Sequence, residues 1–150
     1  MAEAVVAVRA ARKEDYSDWV RLRTALWPEW PDDHRTEARA YFDEPPPRAV
    51  TFIAEVDGST VGFAELRLRE YAEECETSPV AYLEGIYVDP GVRVRGVGRA
   101  LVEAGEAWGR EHGCTEMASD REIDNERSGA FHLAVGFDEA VRLVAYRKEL

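Results

Sequence analysis

Residues 83 to 112 constrain the fold of this chain more than any other stretch. Leu83-Glu84-Gly85-Ile86-Tyr87-Val88 is apolar and β-rich, the pattern of a buried strand. Asp89-Pro90-Gly91 is turn chemistry that ends it. From Val97 onward the apolar residues recur at Val97, Leu101, Ala104 and Trp108, while Arg99, Glu103, Glu106 and Arg110 face away. That spacing predicts one face of an amphipathic helix, and Gly113 supplies its stop. A buried strand feeding such a helix points to an α/β domain with a mixed sheet.

Between strand and helix lies Arg93-Val94-Arg95-Gly96-Val97-Gly98. A helix N-terminus presents unpaired N–H groups and a partial positive charge, which suits phosphate. Gly96 and Gly98 would admit an oxygen-bearing ligand to the backbone without a Cβ in the way. Arg93, Arg95 and Arg99 place three cations within seven residues of a chain whose net charge is −11. Other phosphate loops fit less well. The Gly-Lys-Ser/Thr of a P-loop is missing, and Leu101 stands where a dinucleotide fingerprint has its third glycine. A tight helix start with no ligand is the alternative.

The rest of the chain reads as one domain, residues 1–150. Val5–Ala10 predicts a strand and Asp15 to Leu26 a helix. The prolines of Trp27-Pro28-Glu29-Trp30-Pro31 break the pattern before a short helix, Thr36 to Phe42. Val50–Val56 and Thr60–Arg69 flank Asp57-Gly58, a hairpin signal. Glu70 to Pro79 is an acidic loop holding Tyr71, read as a solvated face or as the rim of a site. Cys114–Ser119 predicts a strand, Asn125 to Val135 a helix with Ala130, Phe131, Ala134 and Val135 inward, and Glu139–Tyr146 a last strand. The order is βααβββαβαβ, whereas a Rossmann fold alternates strictly.

The acidic balance argues against nucleic acid, which demands a basic face, and suits a cationic substrate or simply a soluble surface. No apolar run approaches the roughly 20 residues of a membrane span, and no signal peptide is visible, so a cytoplasmic location is expected. The scattered His34, His112 and His132, with Cys75 and Cys114 far apart, predict neither a metal site nor a disulfide.

With this order of elements, the strand and glycine turn resemble motif A of the GNAT N-acetyltransferases. There the Arg/Gln-x-x-Gly-x-Gly/Ala turn holds the pyrophosphate of acetyl-coenzyme A (acetyl-CoA). The implied reaction moves an acetyl group from a thioester to an uncharged amine, so no protein nucleophile is required. None is evident: Gly-x-Ser-x-Gly and a Cys/His pairing are both missing. Glu84 is an acid inside an apolar strand, costly unless paired or functional. Asp120 stands at a strand end, where α/β sheets bind ligands, or acts as a cap for the next segment. Both can hold an ammonium group and help remove its proton. Tyr146 is placed to protonate the leaving thiolate, or is an ordinary strand tyrosine. Asn125 either bonds the pantetheine arm or caps a helix. Trp27 and Trp30 are either a packing staple or a wall on which a ring stacks.

A narrower resemblance, to the aminoglycoside 6′-N-acetyltransferases, runs through Leu26-Trp27-Pro28, Pro31-Asp32-Asp33, Thr77-Ser78-Pro79-Val80 and Leu83-Glu84-Gly85-Ile86. It continues through Cys114 to Asp120, Gly136-Phe137 with Glu139, and Tyr146-Arg147-Lys148. It implies that Trp27, Tyr71, Glu84, Asp120 and Glu139 line an acidic aminosugar pocket, and that two copies form a homodimer. Acetyl-CoA would bind along the backbone of Arg93, Val94, Arg95, Gly96, Val97, Gly98 and Arg99. The N–H groups near Ile86, Tyr87 and Val88 would polarise the thioester carbonyl. Trp30, and Ala145 before Tyr146, depart from the family pattern. The alternatives are the same fold acting on a polyamine or a peptide N-terminus, and a coenzyme A-binding sensor without catalysis.

Overall fold

The computed structural model describes residues 5–150, apart from the side chains of Val94 and Arg95. Its elements are β1 (Val6–Ala10), α1 (Tyr16–Leu26), α2 (Pro31–Asp43), β2 (Ala49–Val56) and β3 (Ser59–Arg69). They continue with β4 (Val80–Val88), α3 (Val97–Glu111), β5 (Met117–Ser119) and α4 (Glu126–Ala134). The five strands form one sheet in the order β1-β2-β3-β4-β5, antiparallel except for the parallel pair β4/β5.

Each sheet face carries its own core. Trp19 and Leu22 of α1 and Ala38 of α2 cover Ile53 and Phe63 on one face. On the other, Val97, Leu101, Val102 and Trp108 of α3 cover Ala54, Leu66, Ala81 and Leu83. The predicted stripe of α3 is therefore the buried one, although it continues through Val102 and Gly105. Asp57 and Gly58 both take positive φ, +50° and +82°, as a two-residue hairpin turn requires.

Two irregularities shape the middle of the sheet. In the β3/β4 ladder Glu65 faces Gly85 and Leu66 faces Leu83, so Glu84 is the extra residue of a bulge. And β4 meets β5 only from Ala81 to Leu83, after which β4 runs on alone to Val88 on that side. A fork opens there, and alternate backbone groups of residues 84–88 have no strand beside them.

Four expectations are corrected. α2 starts at Pro31 rather than Thr36, because proline is well suited to the first turn of a helix. β5 is three residues long, and Cys114 is buried in the turn before it. In α4, Ser128, Gly129, Phe131 and His132 turn inward, while Ala130 and Ala134 are exposed. The last strand is the largest change: among the described residues no strand comes after α4, and Glu139–Tyr146 runs unpaired and exposed. Its β pattern leaves Val141, Leu143, Val144 and Tyr146 in solvent. Residue preference favours an extended chain but does not supply a partner strand.

Candidate active site

The bulge sends Glu84 to the sheet face opposite α3. There its two carboxylate oxygens accept from Arg69 Nε and a terminal guanidinium nitrogen, at 2.9 and 2.7 Å. The fork-shaped guanidinium matches a carboxylate in this bidentate way. Arg69 also stacks on Tyr82, 3.5 Å from guanidinium carbon to ring centroid, and the Tyr82 hydroxyl donates to Asp120 at 3.0 Å. Burial and the neighbouring Asp120 push the Tyr82 phenol well above its ordinary range, so it remains a donor. Glu84 and Asp120, singled out separately in the sequence, are thus joined through Arg69 and Tyr82. Neither linking residue stands out in the sequence. Their only signal there is two-residue alternation, which puts Arg69 and Tyr82 on the face away from the α3 core.

Arg69, Tyr82 and Asp120 border a groove of about 1140 Å³ running along β5, α4 and the start of the C-terminal segment, and Glu84 is tied to that border through Arg69. Nine carboxylates and three arginines line it, among them Asp120, Glu122 and Glu139 with Glu73 and Glu74 of the acidic loop. Such a wall attracts and concentrates cations. The loop is fastened to β5 by Glu116, which accepts from the N–H of Glu76 and of Thr77 at 2.9 and 2.7 Å. Tyr71 is exposed on the same loop. Glu139 pairs with Arg142, which holds its carboxyl below the usual range. Tyr146 is 92% exposed and is not among the residues that line the groove with Asp120.

Trp27, at the end of α1, reaches the bulge. Its indole lies over Gly85, where a Cβ would sit only 2.4 Å from the ring, so the close approach requires glycine. Trp27 also borders a second cavity of about 410 Å³, with Trp30, Asp33 and Glu37.

The glycine turn lies beyond the fork. Pro90–Arg95 forms a 3-10 turn, and Gly96 adopts φ +76° with open space where a Cβ would point. An anion can therefore approach the first N–H groups of α3. Gly98 has a packing role as well: a Cβ there would meet the Phe131 ring of α4 at 2.7 Å, so glycine allows α3 and α4 to pack. Arg93 Nε donates to the Val88 carbonyl, and Arg99 to that of Ala134. The Val94 and Arg95 side chains lie outside the described residues. Asn125 takes its capping alternative, accepting from the Ser128 N–H at 3.1 Å.

One largely buried acid carries no signal in the sequence. Glu65, the partner of Gly85 at the bulge, accepts from Trp19 Nε1 at 3.3 Å and lies 3.5 Å from Arg23. Burial pushes its carboxyl up to about 7, against the pull of Arg23 and Trp19 and with the push of Glu37 and Glu84. The folded protein then holds a proton that the unfolded chain, with an ordinary value near 4.5, releases earlier. Between those two values the folded state binds more protons, so stability falls as pH rises. Melting temperatures measured across that window for wild type and Glu65→Gln are expected to diverge, with wild type losing ground toward pH 7. Parallel curves would contradict the assignment.

Comparison with known proteins agrees with this geometry. Residues 19–137 match the model of the acetyltransferase (GNAT) family. The chain is 43% identical over 146 residues to an aminoglycoside N(6′)-acetyltransferase type 1 of Klebsiella aerogenes, covering 95% of this chain and 96% of that one. It is 46% identical over 135 residues to the Serratia marcescens protein of the same name, with 88% and 91% covered. A solved aminoglycoside N-acetyltransferase, AAC(6′)-Iy in complex with CoA, superposes with a TM-score of 0.93 at 38% identity, covering 99% and 98% of the two chains. AAC(6′)-Iy bound to the bisubstrate analogue CoA-S-monomethyl-acetylneamine gives 0.91 at 39% identity, covering 97% and 99%. The chain belongs to the acetyltransferase (GNAT) family, among the aminoglycoside N(6′)-acetyltransferases.

Proposed function

We propose that this protein transfers the acetyl group of acetyl-CoA to the 6′-amine of aminoglycosides. One observation carries the reading: a network running from Glu84 through Arg69 and Tyr82 to Asp120 borders an acidic groove beside an open fork in a GNAT sheet. The acetyl donor lies in the fork, its pyrophosphate against the open backbone at Gly96 and the first turn of α3. Backbone N–H groups between Ile86 and Val88 polarise the thioester carbonyl. The aminosugar lies in the groove, against Trp27 and the Tyr71 loop. Glu84 and Asp120 hold its 6′-ammonium and take up a proton. The free amine then attacks the carbonyl carbon, the C–S bond breaks, the thiolate gains a proton from Tyr146, and the second proton lost by the nitrogen as the amide forms restores the tyrosine.

For Tyr146 to do this the C-terminal segment has to reach a groove. We propose a homodimer in which residues 138–150 of each copy pair with the open edge of β5 in the other. What supports it is the pairing of two unmet needs in one chain: an unpaired edge strand and an extended segment with four apolar side chains in water. Acidic walls favour a polycation over a neutral acceptor, and no helix among the described residues is long and apolar enough to cross a membrane.

A ligand spanning both halves of the site tests the reading. CoA-S-monomethyl-acetylneamine is expected to bind at least about a hundredfold more tightly than CoA, since linked fragments avoid a second entropic cost of association. Equal affinities would mean that the groove does not receive the aminosugar.

A further inference from the structure

We infer that Arg23 is a positioning residue for the acceptor site, held between the indoles of Trp19 and Trp27 so that Trp27 stays seated on the Glu84 bulge. The inference rests on the reading of Trp27 as a wall of the aminoglycoside pocket. Arg23 lies on α1 and is only 7% exposed. Its guanidinium carbon is 5.7 Å from the Trp19 ring centroid and 5.4 Å from that of Trp27. It pairs with Glu37 of α2, and its Nε stands 3.5 Å from Glu65 of β3 with no hydrogen-bond partner of its own. An incompletely bonded, desolvated cation is a poor stabiliser, because apolar residues of the same volume commonly pack at least as well there. Stability alone therefore does not explain an arginine at this position.

Geometry does. The guanidinium lies within cation–π reach of two indoles at once, and its flat face suits aromatic rings in a way that neither lysine nor an aliphatic chain matches. Glu65 is the register partner of Gly85, and Trp27 rests on Gly85. The contacts close a ring from Glu65 across the ladder to Gly85, up to Trp27, over to Arg23 and back. Glu84 is the neighbouring residue in the bulge, so the aromatic wall that Trp27 forms stands beside the carboxylate that meets the amine. The pyrophosphate end of the donor site, at Gly96 and the first turn of α3, includes none of these residues.

The test is steady-state kinetics on the full-length protein with kanamycin A and acetyl-CoA. Arg23→Met is expected to raise KM for kanamycin about tenfold or more, with KM for acetyl-CoA and kcat within about twofold of wild type. Arg23→Lys, which keeps the charge but not the flat stack, falls between. Trp27→Ala should add little in the Arg23→Met background, since the two residues act as a unit. Should Arg23→Met not fold, Glu37→Gln loosens the same guanidinium from an exposed position, and it should raise KM for kanamycin about threefold. A lowered melting temperature with unchanged KM for kanamycin in these variants would overturn the inference, leaving Arg23 a structural residue. A wild-type protein that does not acetylate kanamycin would instead refute the functional reading beneath it.

Discussion

The double variant Glu84→Gln, Asp120→Asn is expected to lose on the order of a hundredfold or more in kcat/KM for an aminoglycoside, the usual share of a general base. Both substitutions keep the shape of the side chain and remove its charge. An amine meets the thioester only after losing its proton, and these two carboxylates are linked in one network through Arg69 and Tyr82. Each single variant should lose less, because the remaining carboxylate still attracts the ammonium. Folding should be little affected: the Arg69–Glu84 pair is 39% and 28% exposed, and pairs so hydrated are worth about 1 kcal/mol or less. Measuring acetyl-CoA binding alongside turnover separates the effects. Full turnover in the double variant would remove both residues from the proton-transfer role.

Removing residues 138–150 is expected to convert a dimer into a monomer and to abolish turnover. Val141, Leu143, Val144 and Tyr146 are 46%, 62%, 75% and 92% exposed, a poor arrangement for a chain that stays alone. Pairing them along β5 of a second copy hides that surface and brings Tyr146 to the partner's groove. Leu143→Asp keeps the length of the segment and should weaken the dimer in the same direction. Tyr146→Phe should leave the dimer intact and slow only the chemistry. Scattering mass and thiol release, measured on the same samples, decide the matter. A truncated chain that is monomeric and fully active would exclude both the exchange and the acid role of Tyr146.

What is legible in the sequence is what is encoded locally. The hairpin at Asp57-Gly58 and the strand–turn–helix from Leu83 to Gly113 each depend on residues within a few positions of one another, and both form as expected. Glu84 and Asp120 are conspicuous as acids in or beside apolar strands. Their partners are not, because the Arg69–Glu84 pair spans fifteen residues of sequence and depends on a bulge that shifts the register by one. The packing role of Gly98 is not legible, because the Phe131 ring that a Cβ there would meet belongs to a helix more than thirty positions later. Arg23 and Glu65 carry no signal, since an arginine and a glutamate on amphipathic elements read as solvated until the fold buries them. The last strand fails for a related reason. Its alternation is genuine, but strand pairing is a property of two segments, and among the described residues no strand of its own chain pairs with it.

The most direct measurement is thiol release from acetyl-CoA with kanamycin A, beside an analogue carrying a hydroxyl in place of the 6′-amine. Steady thiol release is expected with kanamycin A, and none above background with the 6′-hydroxyl analogue. Equal release from both would place the acetylated nitrogen elsewhere on the sugar. No release from either, with CoA still bound, would contradict acetyl transfer to the 6′-amine and leave only the fold.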